Sequence, residues 1–125
     1  MKIVVTVDLL NKLNACDHDV VLFEETFPNG TKLNEESIDI AMDADLDVGW
    51  FFRRLLKFAA LGPIYRETHR LYLSDTEGMR VGSKEFGKIL NDIHNRRPRL
   101  RYKKYLELLN DRNNFYPDAL EAIEE

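Results

Sequence analysis

The sequence contains few of the features that mark disulfide-rich, secreted or membrane-inserted proteins. Cys16 is the single cysteine among 125 residues, so no internal disulfide can form, which favours a reducing compartment. No run of about 18 apolar residues occurs, so we predict no transmembrane helix and no membrane partner. The apolar start is interrupted by Asp8 and Asn11, which argues against a signal peptide. These absences predict a soluble protein in a reducing compartment.

The sequence also lacks the residue spacing of a metal site or a nucleophilic centre. His18, His69 and His94 are scattered, and none is followed at the third or fourth position by a second ligand. A zinc or iron site would therefore have to assemble from different helices. Cys16 stands two residues before His18, a spacing that does not place the two side chains within hydrogen-bond reach. We predict a non-enzyme without metal or cofactor, and keep an active site assembled across helices as a third alternative.

Two segments resemble ligand-binding loops and fail at their decisive positions. Residues 43–47 open like an EF-hand calcium loop, but Val48 and Arg54 stand where that loop needs a glycine and a bidentate glutamate. Residues 82–88 have the glycine–lysine spacing of a phosphate loop, but Ile89 stands where the magnesium-binding hydroxyl belongs. We interpret the first segment as a solvated helix junction and the second as the start of an ordinary helix.

What the sequence does contain is one dominant apolar run, residues 48–61, in a composition typical of a globular domain. At 100° per residue its apolar side chains share one broad helical face, and its bases gather on the other. We therefore predict a central helix of about four turns that the rest of the chain packs around. The apolar face consists of Phe51, Phe52, Leu55, Leu56, Phe58 and Ala59.

Turn and capping residues divide the rest of the chain into further helices. Asn34 is a predicted N-cap, because two glutamates follow it in the first helical turn, where the helix dipole favours carboxylates. Asp47 is the predicted cap of the central helix. The pair Gly62-Pro63 predicts a break at which another helix starts, and Pro98 predicts a second break between two later helices.

The two ends of the chain predict little regular structure. Residues 2–6 are β-branched and predict at most a short N-terminal strand. Pro117 predicts the start of a frayed, acidic terminal turn. A length of 125 residues fits one domain, so we expect a single helical domain over residues 1–125. The predicted fold class is mainly α, a compact bundle of five or six helices.

The net charge of −4 conceals a strong asymmetry along the chain. Residues 1–50 hold 11 acids and 3 bases, whereas residues 51–112 hold 15 bases and 7 acids. Residues 113–125 add 4 acids and no base. Regions of opposite charge can neutralise each other within the fold, or they can present an acidic and a basic surface to partners.

The densest positive charge lies in residues 96–105, which we call the basic strip. Its bases alternate with tyrosines, a pattern that suits phosphate contacts combined with stacking on exposed nucleobases. Tyr102 and Tyr105 would then be the aromatic anchors, since tyrosine and arginine dominate interface energetics. The other interpretation is a helix face that neutralises the acidic N-terminal half or the tail. The predicted binding residues are Arg96, Arg97, Arg99, Arg101, Tyr102, Lys103, Lys104 and Tyr105.

The acidic N-terminal half supports a different prediction. Its spaced carboxylates could imitate the phosphates of a nucleic acid and occupy a basic groove in another protein. The alternative is ordinary solvation, because many of these acids stand where helix caps and first turns place them. The predicted acidic surface consists of Glu35, Glu36, Asp39, Asp43, Asp45 and Asp47.

Residues 10–56 also resemble a known kind of module. The pattern is Leu13-Asn14-Ala15-Cys16, Val20, Leu22-Phe23, Phe27, an acidic helix, Trp50 and Leu55-Leu56. It is similar to a module of uncharacterised small proteins from bacteriophages and mobile elements. The resemblance covers less than half of the chain and brings no catalytic or binding residues with it. It implies a small phage or prophage protein that acts in the cytoplasm of a bacterial host.

Charge layout, missing catalytic motifs and this resemblance lead to one functional hypothesis. We expect a phage-type, non-enzymatic protein-binding module, with inhibition of a host nucleic-acid-processing or defence protein as its narrower role. Its partner would be a host protein. The alternative is a small RNA- or DNA-binding regulator that uses residues 96–104. The sequence leaves homo-oligomer formation open.

Overall fold

The computed structural model describes residues 2–76, 78, 82 and 84–124, and of residues 71–76, 86 and 92–95 only the backbone. This part of the chain forms a mainly α bundle, as predicted. The α-helices are α1 (Val7–Lys12), α2 (Asp17–Thr26), α3 (Glu35–Asp43), α4 (Val48–Leu55), α5 (Phe58–Thr76), α6 (Lys84–Tyr105) and α7 (Pro117–Glu124). Two strands, β1 (Val4–Val5) and β2 (Thr31–Lys32), and two 3-10 helices, Leu106–Asn110 and Arg112–Asn114, complete the described elements.

The short N-terminal strand predicted at residues 2–6 is confirmed and has a partner. β1 and β2 pair antiparallel, with Val4 opposite Lys32 and Val5 opposite Thr31. Gly30 leads into β2 with a φ of +75°, and an added Cβ there would lie 2.8 Å from the Val5 carbonyl oxygen. Only glycine fits this turn without strain, because both the dihedral angle and the space exclude a side chain.

Both predicted N-caps are confirmed. The Asn34 side chain accepts a hydrogen bond from the Ser37 N–H (2.8 Å), and the Ser37 hydroxyl oxygen accepts one from the Asn34 N–H (3.0 Å). This reciprocal pair satisfies two N–H groups that an isolated helix start leaves without partners. The Asp47 carboxylate accepts from the Trp50 N–H at 2.9 Å and starts α4 in the same way.

The central apolar run forms two helices, so the prediction of one continuous helix is wrong. α4 ends at Leu55, and Leu56 has an extended backbone with φ −109° and ψ 142°. The C-terminal segment pairs with this break. The Tyr116 N–H donates to the Leu55 carbonyl oxygen (3.0 Å), and the Lys57 N–H donates to the Asn114 carbonyl oxygen (2.7 Å). Backbone pairing with distant residues therefore replaces the helical hydrogen bonds here.

This break changes which side chains of the run are buried. Leu56 has no exposed surface, because its extended backbone forms a bridge to Phe115, which is itself 2% exposed. α5 then begins at Phe58, so its side chains do not continue the faces of α4. Phe58 is 79% exposed, although the single-helix prediction placed it on the buried face beside Phe52. Ala59 is also exposed.

The breaks predicted at Pro63 and Pro98 are wrong as well, since both prolines lie inside continuous helices. Pro63 stands in the second turn of α5, where its missing N–H leaves the carbonyl of Ala59 without a helical partner. Ala59 is exposed, so water can take that place. α6 continues through Pro98 while it packs along α5, and these tertiary contacts lie on both sides of the proline.

The core is centred on Phe52, which has no exposed surface. Its ring stacks against Tyr102 at a centroid distance of 6.0 Å and meets Tyr105 edge-on at 5.3 Å. α4 therefore packs directly on the end of α6. Such aromatic contacts contribute roughly 0.5–1.5 kcal/mol each beyond the area that they bury.

The C-terminal residues form the helix α7, in place of the frayed turn predicted from Pro117. Ala119 is completely buried against the bundle. The Arg54 guanidinium donates to the Asp118 carboxylate at 2.9 Å and, through Nε, to the Leu13 carbonyl oxygen at 3.0 Å. Arg54 therefore links α4 to both ends of the chain, and this tertiary docking stabilises a helix that is too short to form alone.

Candidate functional site

A small apolar groove with a cavity volume of about 80 Å³ opens between the two-stranded sheet, α2, α3 and the start of α4. Its floor includes the buried side chains of Phe23, Ile38 and Phe51. Trp50 and Phe27 line it as well and are only half-buried. Large aromatic side chains that are partly exposed in a concave apolar surface are typical of binding sites.

The charged residues that line the groove, Asp19 and Asp47, are both acidic. Asp19 accepts a hydrogen bond from the Cys16 thiol (3.0 Å), and Asp47 caps α4, but neither forms an ion pair within the described residues. Further exposed carboxylates without an ion pair in this part of the structure lie on α2, on α3 and in the turn before α4. We call the whole set the acidic rim: Asp17, Asp19, Glu24, Glu25, Glu35, Glu36, Asp45 and Asp47.

Two acids of the predicted acidic surface lie apart from this rim and are neutralised. Asp39 receives the Lys103 ammonium at 2.9 Å and the Arg99 guanidinium at 3.2 Å. Arg99 also pairs with Asp43. The hydrogen bond from Lys103, with a further one from Arg99, holds the pKa of the Asp39 carboxyl below its usual value. α3 and α6 are thus joined by complementary charges.

Three further bases of the strip contact α5. Arg97 is 8% exposed and donates to the Thr68 carbonyl oxygen at 3.2 Å, and burial lowers the pKa of its guanidinium. The Arg101 Nε donates to the Thr68 hydroxyl oxygen at 2.8 Å. Lys104 pairs with Glu67 at 2.8 Å. These contacts agree with the interpretation in which the strip neutralises acids of its own chain and packs against it.

Both predicted tyrosine anchors of the basic strip face the interior. Tyr105 is 5% exposed, and Tyr102 is half-buried against Phe52. Burial raises the pKa of both phenolic hydroxyls. Their rings serve the core in this structure, whereas Arg96 lies exposed at the beginning of the strip.

α5 carries a second aromatic and basic surface that the sequence reading missed. Tyr65 is 48% exposed, and its ring lies nearly parallel to that of His69, with 7° between the planes and 6.1 Å between the centroids. We call this surface the α5 face and define it by Phe58, Tyr65, Arg66, His69 and Arg70, which are all exposed. At 100° per residue, Phe58, Tyr65 and His69 fall within about 40° of one another, and Arg66 and Arg70 flank them at roughly 80° and 120° from Phe58.

Side chains are described for two of the three histidines. His18 is exposed on α2, His69 stacks on Tyr65, and the side chain of His94 lies outside the described residues, as does residue 83 of the segment that resembles a phosphate loop. Within the described part of the chain, no group of three or more histidine, cysteine, aspartate or glutamate side chains is placed to hold a metal ion.

The comparisons with known proteins add no relative. No protein-family model matches the chain, and neither the curated proteins nor the solved structures yield a significant match. The resemblance to phage proteins therefore stays a prediction. Among the described helices, none is long and apolar enough to cross a membrane. The functional argument below rests on the geometry of the groove and of the charged surfaces.

Proposed function

We propose that this protein is a non-enzymatic protein-binding module that takes a basic, amphipathic segment of a partner protein into the apolar groove. The observation that carries the proposal is the combination of an apolar floor with charged lining residues of one sign, Asp19 and Asp47. Apolar side chains of the partner would enter the groove, and its lysines or arginines would meet the acidic rim. This is the helix-in-groove mode of recognition.

The two parts of the site would contribute differently. Burying one leucine or phenylalanine of the partner is worth about 1.5–3 kcal/mol, so the groove would supply most of the affinity. The acidic rim would raise the association rate and select against acidic segments, because rim charges act mainly through long-range steering. In contrast, Asp39 and Asp43 are already occupied by α6 and would contribute little.

A basic amphipathic segment is a common feature of proteins that handle nucleic acids, which connects this site to the narrower hypothesis. We include in the proposal that the partner is a nucleic-acid-processing or defence protein of a bacterial host, inhibited in the host cytoplasm. The resemblance of residues 10–56 to phage proteins supports this part, together with the number of carboxylates that the fold leaves without a base.

Trp50 provides a direct test, because it is the single tryptophan of the chain and lines the groove. A synthetic helical peptide of leucine and lysine should shift the Trp50 emission to shorter wavelength as it buries the indole ring. The apparent affinity should fall with increasing salt. A peptide of the same length made of leucine and glutamate should produce no shift.

The double variant Asp19→Asn with Asp47→Asn should weaken binding of the basic peptide several-fold, mostly through a slower association rate. Asparagine retains the N-cap of α4, so the groove itself should stay intact. Glu107→Gln with Glu121→Gln removes the same charge from exposed residues that do not line the groove. Equal weakening by both double variants, or equal binding of both peptides, would contradict the proposal.

Identifying the natural partner requires a separate measurement. Capture from bacterial lysate should recover one specific protein that remains bound after nuclease treatment, and the basic peptide should compete for it. A captured band that disappears with nuclease would indicate a nucleic acid bridge. A band that resists competition by the peptide would place the contact outside the groove.

A further inference from the structure

The α5 face combines two kinds of group that nucleic acids recognise. Phe58 is 79% exposed and Tyr65 is 48% exposed, so both rings present a large part of their surface to solvent. The Arg101 guanidinium lies 4.2 Å from the centroid of the Tyr65 ring and supports it from α6. The rings of Tyr65 and His69 are nearly parallel, and we call this pair the Tyr65–His69 platform. Aromatic platforms stack on nucleobases with little regard to sequence.

The charge around this platform is positive among the described residues. Arg66 and Arg70 form no ion pair within the described residues, in contrast to Arg99 and Lys103 of the basic strip. Glu67 is the single acid in residues 58–70, and Lys104 neutralises it at 2.8 Å. Lys104 first, and Arg70 to a smaller extent, lower the pKa of the Glu67 carboxyl, so a phosphate near Arg66 and Arg70 would meet cations that face this one described carboxylate.

The spacing of the aromatic rings suits a single strand. Phe58 and Tyr65 are seven residues apart, which places them on the same side of an α-helix and about 10.5 Å apart along its axis. Successive stacked nucleotides of one strand rise about 3.4 Å each, so the two rings are separated by about three nucleotides. Arg66 follows Tyr65 directly and flanks the path between the rings.

We propose that the α5 face binds single-stranded nucleic acid, with bases stacked on Phe58 and on the Tyr65–His69 platform and phosphates held by Arg66 and Arg70. This site is separate from the groove and does not depend on the proposed protein-binding function. It also differs from the basic strip, where Arg97, Arg99, Lys103 and Lys104 contact the protein itself.

The test uses fluorescence anisotropy with a labelled oligothymidine of roughly twelve nucleotides, a length within the usual site size of single-strand binders. The full-length protein should bind it at about 50 mM salt, more tightly than a duplex of equal length. Affinity should decrease as salt increases. In a plot of log K against log salt concentration, the slope should be about −0.7 for each phosphate contact.

Two variants separate stacking from charge. Tyr65→Ala should weaken binding about tenfold with an unchanged salt slope, because it removes a stacking surface and no charge. Arg66→Ala with Arg70→Ala should reduce the salt slope by about 1.4, which corresponds to two phosphate contacts. Lys2→Ala with Lys32→Ala removes the same charge from exposed residues at the two-stranded sheet. This control variant should change the affinity less than twofold. Circular dichroism of each variant verifies that it is folded.

Several outcomes would overturn the proposal. Absence of oligothymidine binding by the wild type, or equal binding of the duplex, would exclude a single-strand site. Loss of binding in Arg99→Ala with Lys103→Ala, combined with retention in the α5 variants, would assign the contact to the basic strip. Self-association that Phe58→Ala abolishes, without any oligonucleotide binding, would assign the face to a second copy of the chain. None of these readouts depends on Trp50, so they remain distinct from the peptide assay.

Discussion

The basic strip and the α5 face contain the same residue types in similar alternation, yet the fold uses them in opposite ways. In the strip, Tyr105 is 5% exposed and Arg97 is 8% exposed, so ring and guanidinium are both part of the interior. On the α5 face, Phe58 is 79% exposed and Arg66 has no ion-pair partner among the described residues. Density of bases and aromatics in the sequence therefore did not identify the surface that is available to a ligand.

The difference arises from what each segment meets in three dimensions. The strip runs between the acids of α3 on one side and Thr68 and Glu67 of α5 on the other, so its bases find partners within the chain. On the outer side of α5, Arg66 and Arg70 form no such ion pairs with the described residues. The acidic residues differ in the same way. Asp39 pairs with a base of α6, whereas the acidic rim forms no ion pair within the described residues.

The largest expected effect distinguishes two phenylalanines of the same apolar run. Phe52→Ala should lower the free energy of unfolding by about 3–5 kcal/mol, because it leaves a cavity beside the rings of Tyr102 and Tyr105. Phe58→Ala should change it by less than about 0.5 kcal/mol, because Phe58 is 79% exposed. Urea denaturation followed by circular dichroism measures both values.

This pair of variants is a direct test of the division between α4 and α5. A continuous helix over residues 48–61 would bury both rings, and both substitutions would then be strongly destabilising. A similar large loss for Phe52→Ala and Phe58→Ala would therefore contradict the break at Leu56 and, with it, the exposure of the α5 face.

A smaller effect should separate two arginines. Arg97→Ala should destabilise the protein by about 2 kcal/mol, since it removes a hydrogen bond from a charged group to the Thr68 carbonyl oxygen in a buried position. Arg66→Ala should be nearly neutral, because that side chain is exposed. The same urea titration measures both free energies of unfolding. A larger loss for Arg66→Ala than for Arg97→Ala would contradict the assignment of the strip to the interior and of the α5 face to the surface.

The smallest effect concerns the ion pairs between α3 and α6 and depends on pH. The folded pKa of Asp39 lies below its unfolded value of about 3.9, first because of the Lys103 hydrogen bond, so its ionised form stabilises the fold above that unfolded value. This contribution is lost as the pH falls through the folded pKa. Because Asp39 is 42% exposed, it should amount to less than about 1 kcal/mol.

Asp39→Asn should therefore be less stable than the wild type at pH 7, and the difference should shrink below about pH 4 as the wild-type carboxylate takes up its proton. Thermal unfolding of both proteins across this pH range measures it. Raising the salt at pH 7 should reduce the difference as well. A stability difference that is constant from pH 7 down to pH 3 would show that the loss is one of packing rather than of charge.

Local rules predicted a large part of the fold. The mainly α class and the caps at Asn34 and Asp47 follow from interactions between residues that are close in sequence, whereas the short strand at residues 2–6 also needs its distant partner β2. Such interactions are set by side-chain chemistry within one turn, so they do not require knowledge of the rest of the chain.

The errors share a physical cause, which is long-range contact. The break at Leu56 depends on Phe115 and Asn114, about sixty residues later in the chain. The continuity of α6 through Pro98 depends on its packing against α5. The formation of the helix α7 depends on its contact with Arg54. Each of these contacts supplies hydrogen bonds or buried area that outweigh a local preference of a few kcal/mol.

The candidate sites show the same division. The sequence by itself determined how much charge of each sign the chain carries, where helices can begin and which residues have the chemistry to bind. Tertiary structure alone decided that Arg99 and Lys103 of the strip pair with acids of α3, that Arg66, Arg70 and the acidic rim form no ion pair within the described residues, and that Trp50 borders a groove. The reason is that availability depends on which surfaces pack together, and in this protein those surfaces come from distant parts of the chain.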